Sequence, residues 1–138
     1  MRELIEKLYE KYNTLNPLEL AKYLDIIVLF EDLGNINGYY NTLFRHKFIH
    51  INYNLDDHKQ KFTIAHELGH AILHPKANTP FLRENTLFSI DKLEKEANLF
   101  AVNLLISDAD LDEYKECTIN QLACIFGVNE KLIELRLK

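Results

Sequence analysis

Two histidines four residues apart, His66 and His70, with Glu67 directly after the first, stand in the middle of a long helical stretch and constrain the fold more than any other feature. Phe62, Ile64, Ala65, Leu68 and Ile72 surround them at the apolar spacing of a buried helix. Asp57 and Gln60 have the spacing of a capping box, so the helix is expected to run from about His58 to His74, ended by Pro75. On such a helix residues i and i+4 share a face with Cβ atoms ~6 Å apart, so both imidazoles can reach one ion. Glu67 is rotated off that line and faces a water held by the ion, the place of a general base. Three polar residues can fall into this spacing by chance, but the apolar flanks and the acidic helix downstream favour the metal reading. Gly69 costs ~1 kcal/mol relative to alanine inside a helix, which points to close approach of another element.

A catalytic zinc keeps three protein ligands and an open position, so a third ligand is required. His74 lies eight residues past His66, a rise of ~12 Å, too far for one ion to hold His66, His70 and His74 together. It reads as a residue supporting the site or facing the substrate, or equally as a plain helix-end histidine. The longer motif with a third histidine six residues after the second is absent, since Lys76 stands there. Downstream, Glu94 and Glu96 are the candidates. Glu94 pairs at i+4 with Asn98, which can orient a ligand, whereas Glu96 precedes Phe100 at i+4 and borders the apolar face. Glu94 is the preferred ligand and Glu96 its rival. Tyr39 and Tyr40 are candidate oxyanion donors, with strand packing as the plainer role.

Leu4, Ile5, Leu8, Tyr9 and Tyr12 give a first amphipathic helix, and Asn16-Pro17 caps and starts a second that runs to about Leu24. Ile26-Ile27-Val28-Leu29-Phe30 is short, apolar and β-branched, as in a buried strand. Strands at Tyr39–Thr42 and Phe48–Asn52 follow, the latter alternating apolar and polar. Residues 75–88 read as a loop bordering the site. Ser89 caps a helix through Leu93, Ala97, Phe100, Ala101, Leu104 and Leu105, and shorter helices follow around Leu111–Tyr114, at Ile119–Phe126 and after Asn129. The expected class is α+β, mainly helical, with a small three-stranded, partly antiparallel sheet and a zincin-like HExxH helix. Length fits a single domain, 1–138, with residues 1–107 as catalytic core and 108–138 as a helical pair packed on it.

The net charge of −5 leaves no basic surplus for a phosphate backbone. Residues 118–138 have the spacing of a helix-turn-helix with Gly127 in the turn, but residues 108–138 carry seven acids against four bases. No direct nucleic-acid contact is expected, and the pair reads as core packing or a docking surface. No apolar run approaches the ~20 residues of a membrane span, and the charged first residues do not form a secretory signal. Cys117 and Cys124, read as core residues, fit a reducing cytoplasm.

The segments Asn16-Pro17-Leu18-Glu19-Leu20-Ala21, Gly38-Tyr39-Tyr40, Ile49-His50-Ile51-Asn52, His66-Glu67-Leu68-Gly69-His70 with His74, and Glu94-Lys95-Glu96-Ala97-Asn98-Leu99-Phe100-Ala101 together resemble the ImmA/IrrE family of metallopeptidases. The last two are the diagnostic ones. The resemblance implies Zn2+ held by His66, His70 and Glu94, with Glu67 as base. It also implies a helix-turn-helix repressor as protein substrate, cut or inactivated in response to a signal. Leu104-Leu105-Ile106-Ser107 stands where the family commonly has Leu-Leu-Met-Pro, a departure beside the site rather than in it. A different reading keeps the zinc as a structural ion and makes the protein an antirepressor that works by binding alone. The intact Glu67 weighs against it, because a structural site closes with four protein ligands and has no use for a base.

Overall fold

The computed structural model describes residues 1–80 and 87–138, the side chains of 87–91 excepted. Helix α1 (Arg2–Tyr12) buries Ile5 and Leu8 and stops at Asn13, whose left-handed φ of 56° asparagine tolerates. Helix α2 (Pro17–Tyr23) starts as its Asn-Pro pair dictates: Asn16 Oδ1 accepts from the N–H groups of Leu18 and Glu19, and Pro17 takes the first helical position.

Strands β1 (Ile26–Glu31), β2 (Gly38–Leu43) and β3 (His46–Asn52) form a sheet in the order β1-β3-β2. β1 runs parallel to β3 with Val28 opposite Ile49, and β2 pairs antiparallel with β3, placing Tyr40 opposite Ile49. A mixed sheet among helices is the α+β class expected. Tyr40, Ile49 and Ile51 are fully buried on the face that meets the next helix. β1 departs from its reading as a buried strand: Ile26 is buried, but Ile27, Leu29 and Phe30 are 41%, 38% and 46% exposed. It lies at the sheet edge: Ile27 and Leu29 are on an uncovered face, and Phe30, on the face of buried Ile26, is exposed near the strand's end; a short apolar run reads the same in either setting.

Helix α3 (Asp57–Leu73) carries the histidine motif. Its cap is Asp56 rather than Asp57, because Asp56 has the extended backbone that lets its carboxylate accept from the Lys59 N–H at 2.9 Å. Ile64, Ala65, Leu68 and Ala71 join the core cluster with β2 and β3. Helix α4 (Leu87–Leu105) packs along the other side of α3 through Ala97, Phe100, Ala101 and Leu104, all buried. Because α4 is already helical at Leu87, Ser89 lies inside it and is not its cap; Leu87 and Ile90 extend the apolar spacing upstream of Leu93. The loop expected over residues 75–88 is therefore shorter, with Thr79 and Pro80 also helical, and its residues 81–86 lie outside the described residues.

Helix α5 (Asp108–Glu113) starts earlier than its expected Leu111, because Ser107 and Asp110 form a reciprocal capping box. Thr118 and Gln121 form another before α6 (Ile119–Phe126), and Asn129 caps α7 (Glu130–Leu137). Ile106, Leu122 and Ile133 make a second buried cluster. Buried Arg136 ties α7 to the end of α4, its Nε donating to the Ile106 carbonyl at 2.8 Å and its Nη2 to Asp108 at 2.8 Å. At Gly127, with φ 67°, a Cβ would lie 2.2 Å from the His58 ring, so the turn before α7 rests directly on the start of α3. The cysteines differ from their reading as core: Cys117 is partly buried, and Cys124 is exposed because it stands two residues from buried Leu122 and faces the other way. No described helix is long and apolar enough to cross a membrane.

Candidate metal centre

The four-residue spacing on α3 stacks His66 and His70 with ring centroids 4.8 Å apart and planes nearly perpendicular. Both are buried, as is Glu67 at 1% exposure, and the ligand atoms of these three residues lie within 4.8 Å of one another. What brings a fourth group to them is the contact of α3 with α4 at Gly69. A Cβ there would meet Phe100 at 3.0 Å and the Ala97 Cα at 3.3 Å, a tight fit in which any larger residue would have to push its neighbours aside.

Glu94, one turn before Ala97, then reaches across: one carboxylate oxygen lies 3.0 Å from His66 Nε2 and the other 3.0 Å from His70 Nε2. Glu96 goes elsewhere, its Oε2 standing 3.3 Å from His74 Nε2, while His74 Nδ1 lies 3.0 Å from His70 Nδ1. The two candidate carboxylates thus separate. They project about 200° apart around α4, on either flank of the Ala97 line that packs against α3.

Electrostatics follow the geometry. Burial works against charge on Glu94, but hydrogen bonds from His66 and His70 and their positive charge outweigh it and hold its carboxyl well below the usual carboxylate range. Burial likewise opposes charge on His66, yet the Glu94 hydrogen bond, the charges of Glu67 and Glu94, and Asn98 together raise its pKa. His70 goes the other way, lowered by burial against the pull of Glu94 and with the repulsion of its two histidine neighbours. An ionised carboxylate between two imidazoles suits a cation. A tetrahedral zinc with bonds of about 2.0–2.1 Å separates its ligand atoms by about 3.3 Å, close to the 3.0 Å observed for Glu94 against each Nε2. The donor set therefore fits a metal.

Beside these residues opens a cleft of about 410 Å³. The Asn35–Gly38 segment forms one wall, Phe62 and Thr63 another, and His66, Glu67, Glu94 and Asn98 border it from the metal side. Gly38 fits because a Cβ would lie 2.6 Å from the His50 carbonyl oxygen and 2.8 Å from Thr63 Cγ2. The tyrosines considered as oxyanion donors are engaged elsewhere. The Tyr40 hydroxyl donates to the Pro75 carbonyl at 2.6 Å, with burial pushing its pKa up to about 12. Tyr39 stacks on His50 at 4.1 Å, on the opposite face of β2 from Gly38 and Tyr40.

Sequence reasoning missed Asn52. Its buried Nδ2 donates to the carbonyls of Gly34 and Ile36, both at 3.0 Å, and its Oδ1 accepts from the Asn54 N–H, so it pins the wall of the cleft. A lone amide ending the apolar alternation of β3 was the available signal.

Two histidines and a glutamate on one helix, faced by a carboxylate from a second helix and set against a small mixed sheet, define a zincin-like metallopeptidase scaffold. The chain belongs to the ImmA/IrrE family of metallopeptidases: residues 21–138 match the IrrE N-terminal-like domain, peptidase family M78. It is similar to immunity region protein 2 of Bacillus phage phi105, 47% identical over 96% of this chain and 85% of that protein. It is also similar to Metallopeptidase ImmA of Bacillus subtilis (strain 168), 34% identical over 96% of this chain and 81% of the relative. Phage-like element PBSX protein XkdA of the same bacterium is 26% identical over 99% of this chain and 71% of its own length.

Proposed function

We propose that the protein is a zinc-dependent peptidase that cleaves a helix-turn-helix repressor in the cytoplasm, with the metal held by His66, His70 and Glu94 and with Glu67 as general base. The observation that carries this reading is the Glu94 carboxylate spanning both Nε2 atoms at 3.0 Å beside the buried Glu67. Glu94 rather than Glu67 is the third ligand because it touches both imidazoles, whereas Glu67 is offset around α3. Zinc held by His66, His70 and Glu94 would supply the Lewis acidity for a water and for the scissile carbonyl. The Glu67 carboxylate takes the proton of the attacking water and returns it to the leaving amine. The wall made by Asn35–Gly38, held by Asn52, positions an extended peptide across the cleft. The whole chain works as one domain, with residues 108–138 packed on the catalytic core 1–107.

The repressor as substrate is supported by similarity to a phage immunity-region protein and to a metallopeptidase. The acidic 108–138 segment suits contact with a DNA-binding protein better than contact with DNA. The test is Glu67→Gln mixed with repressors encoded beside the gene: zinc and partner binding persist while defined fragments disappear. If Glu67→Gln relieved repression as well as the parent and no fragment formed with either, the binding-only antirepressor would replace the peptidase.

A further inference from the structure

His74 and Glu96 lie outside the ligand set, yet they are joined to it in an unbroken line. His70 is 1% exposed, and its Nδ1, the nitrogen turned away from Glu94, stands 3.0 Å from Nδ1 of His74. The His74 side chain is 8% exposed, and its other nitrogen, Nε2, stands 3.3 Å from Glu96 Oε2. Histidines at i and i+4 near the end of α3 meet on one face, and α4 supplies both carboxylates from either side of Ala97. The order along the line is Glu94, His70, His74, Glu96.

With Glu96 accepting and both rings neutral, the direction of the hydrogen bonds in this line is set from its far end. An ionised carboxylate only accepts, so His74 must present its N–H at Nε2 to Glu96. A neutral imidazole carries a single N–H, so Nδ1 of His74 is then an acceptor, and the group facing it, Nδ1 of His70, must donate. That leaves the lone pair of His70 at Nε2, the nitrogen next to Glu94. Glu96 therefore selects, two partners away, the tautomer of His70 that can bind a metal. With protons at Nε2 on both neutral rings, the two Nδ1 lone pairs would instead face each other at 3.0 Å; the line closes without conflict when His70 Nε2 holds a metal cation, or a second ring proton in its absence.

We propose that His74 and Glu96 are positioning residues that fix the tautomer and ring orientation of His70 for the metal. The inference rests on the reading of His66, His70 and Glu94 as zinc ligands. It assigns different work to the two carboxylates of the Glu94-Lys95-Glu96 segment: one meets the ion, and the other orients a ligand through a histidine. Outer partners of a metal-bound histidine typically change metal affinity by ~10–100-fold when removed.

The test measures zinc affinity by chelator competition on the full chain and its variants, with long-range proton–nitrogen NMR on the zinc-loaded protein. His74→Phe, which keeps a ring but no acceptor, is expected to weaken zinc about 10–100-fold. His74→Gln, whose carbonyl can still accept from His70, is expected to recover a good part of that loss. Glu96→Gln keeps the shape but can donate as well as accept, so it is expected to weaken zinc a few-fold. The spectrum of the loaded parent should show the His70 proton at Nδ1 and the His74 proton at Nε2. Parent-like affinity in both His74→Phe and Glu96→Gln, or a His74 proton found at Nδ1, would overturn the relay while leaving the zinc ligands standing. Failure of the parent to take up zinc would instead sink the metal reading, and the relay with it.

Discussion

Gly69 and Phe100 touch so closely that a Cβ on the glycine would lie 3.0 Å from Cδ1 and 3.2 Å from Cβ of the phenylalanine. This contact is one of the tight points between α3 and α4, the helix pair that brings Glu94 to His66 and His70. Gly69→Ala is expected to be destabilising on balance. Alanine gains ~1 kcal/mol of helix propensity, but crowding fully buried Phe100 and the Ala97 backbone costs ~1–3 kcal/mol. Zinc affinity should fall with it, because α4 moves as a unit. Chemical denaturation and metal competition measure the two effects, and a stabilised variant with unchanged affinity would show slack in the contact.

Glu94→Ala should lose stoichiometric zinc, whereas Glu96→Ala should retain the ion with weaker affinity. Metal content after gel filtration, followed by competition with a chelator, separates the two. Full metal in Glu94→Ala together with loss in Glu96→Ala would exchange their roles.

Glu67→Gln preserves side-chain shape and removes the proton acceptor. A loss of ~10²–10⁴-fold in turnover is expected, with zinc content unchanged. Turnover close to the parent's would exclude Glu67 as the base.

In the metal-free protein Glu94 links stability to acid. Its carboxyl is held below the ordinary value of 4.5, so the folded chain keeps it ionised at pH values where the unfolded chain protonates it. The stabilisation is complete above the unfolded pKa and disappears as the pH falls through the lower folded value. Denaturant midpoints measured in chelator from pH 6 to pH 3 should therefore fall less steeply for Glu94→Gln than for the parent. Parallel curves would mean that the carboxylate does not hold the two histidines in solution.

The hairpin between β2 and β3 turns on Phe44 and Arg45, both at positive φ (51° and 68°), where side chains other than glycine and asparagine are strained. Phe44 is 84% exposed and loses no packing on replacement. Substituting Asn-Gly should raise stability by ~1 kcal/mol or more, read as a higher melting temperature at unchanged zinc affinity.

Asn52→Ala leaves the Gly34 and Ile36 carbonyls without their donor at a cost of ~1–3 kcal/mol. Because these carbonyls anchor the cleft wall at Ile36 and just before it at Gly34, KM should rise more than kcat falls. An unchanged KM would separate the Asn35–Gly38 wall from substrate binding.

Local chemistry determined what was legible in the sequence. His66 and His70 share a face because of the helical period alone, and Asn16-Pro17, Asn129 and Gly127 act where they were expected because a cap or a left-handed turn involves only neighbouring backbone. The motif, the helices and the α+β class all follow from interactions within a few residues. The i+4 neighbours Asn98 and Phe100 already favoured Glu94 over Glu96, but what each carboxylate meets does not follow from them. The packing of α4 along α3 sends one to the two Nε2 atoms and the other to His74. The open face of β1, the outward Cys124, the Tyr40 hydroxyl committed to Pro75 and the grip of Asn52 on the cleft wall were decided in the same way. Each depends on which distant segment arrives beside it, and apolar or polar character in the sequence records a side chain's preference for burial without recording what buries it.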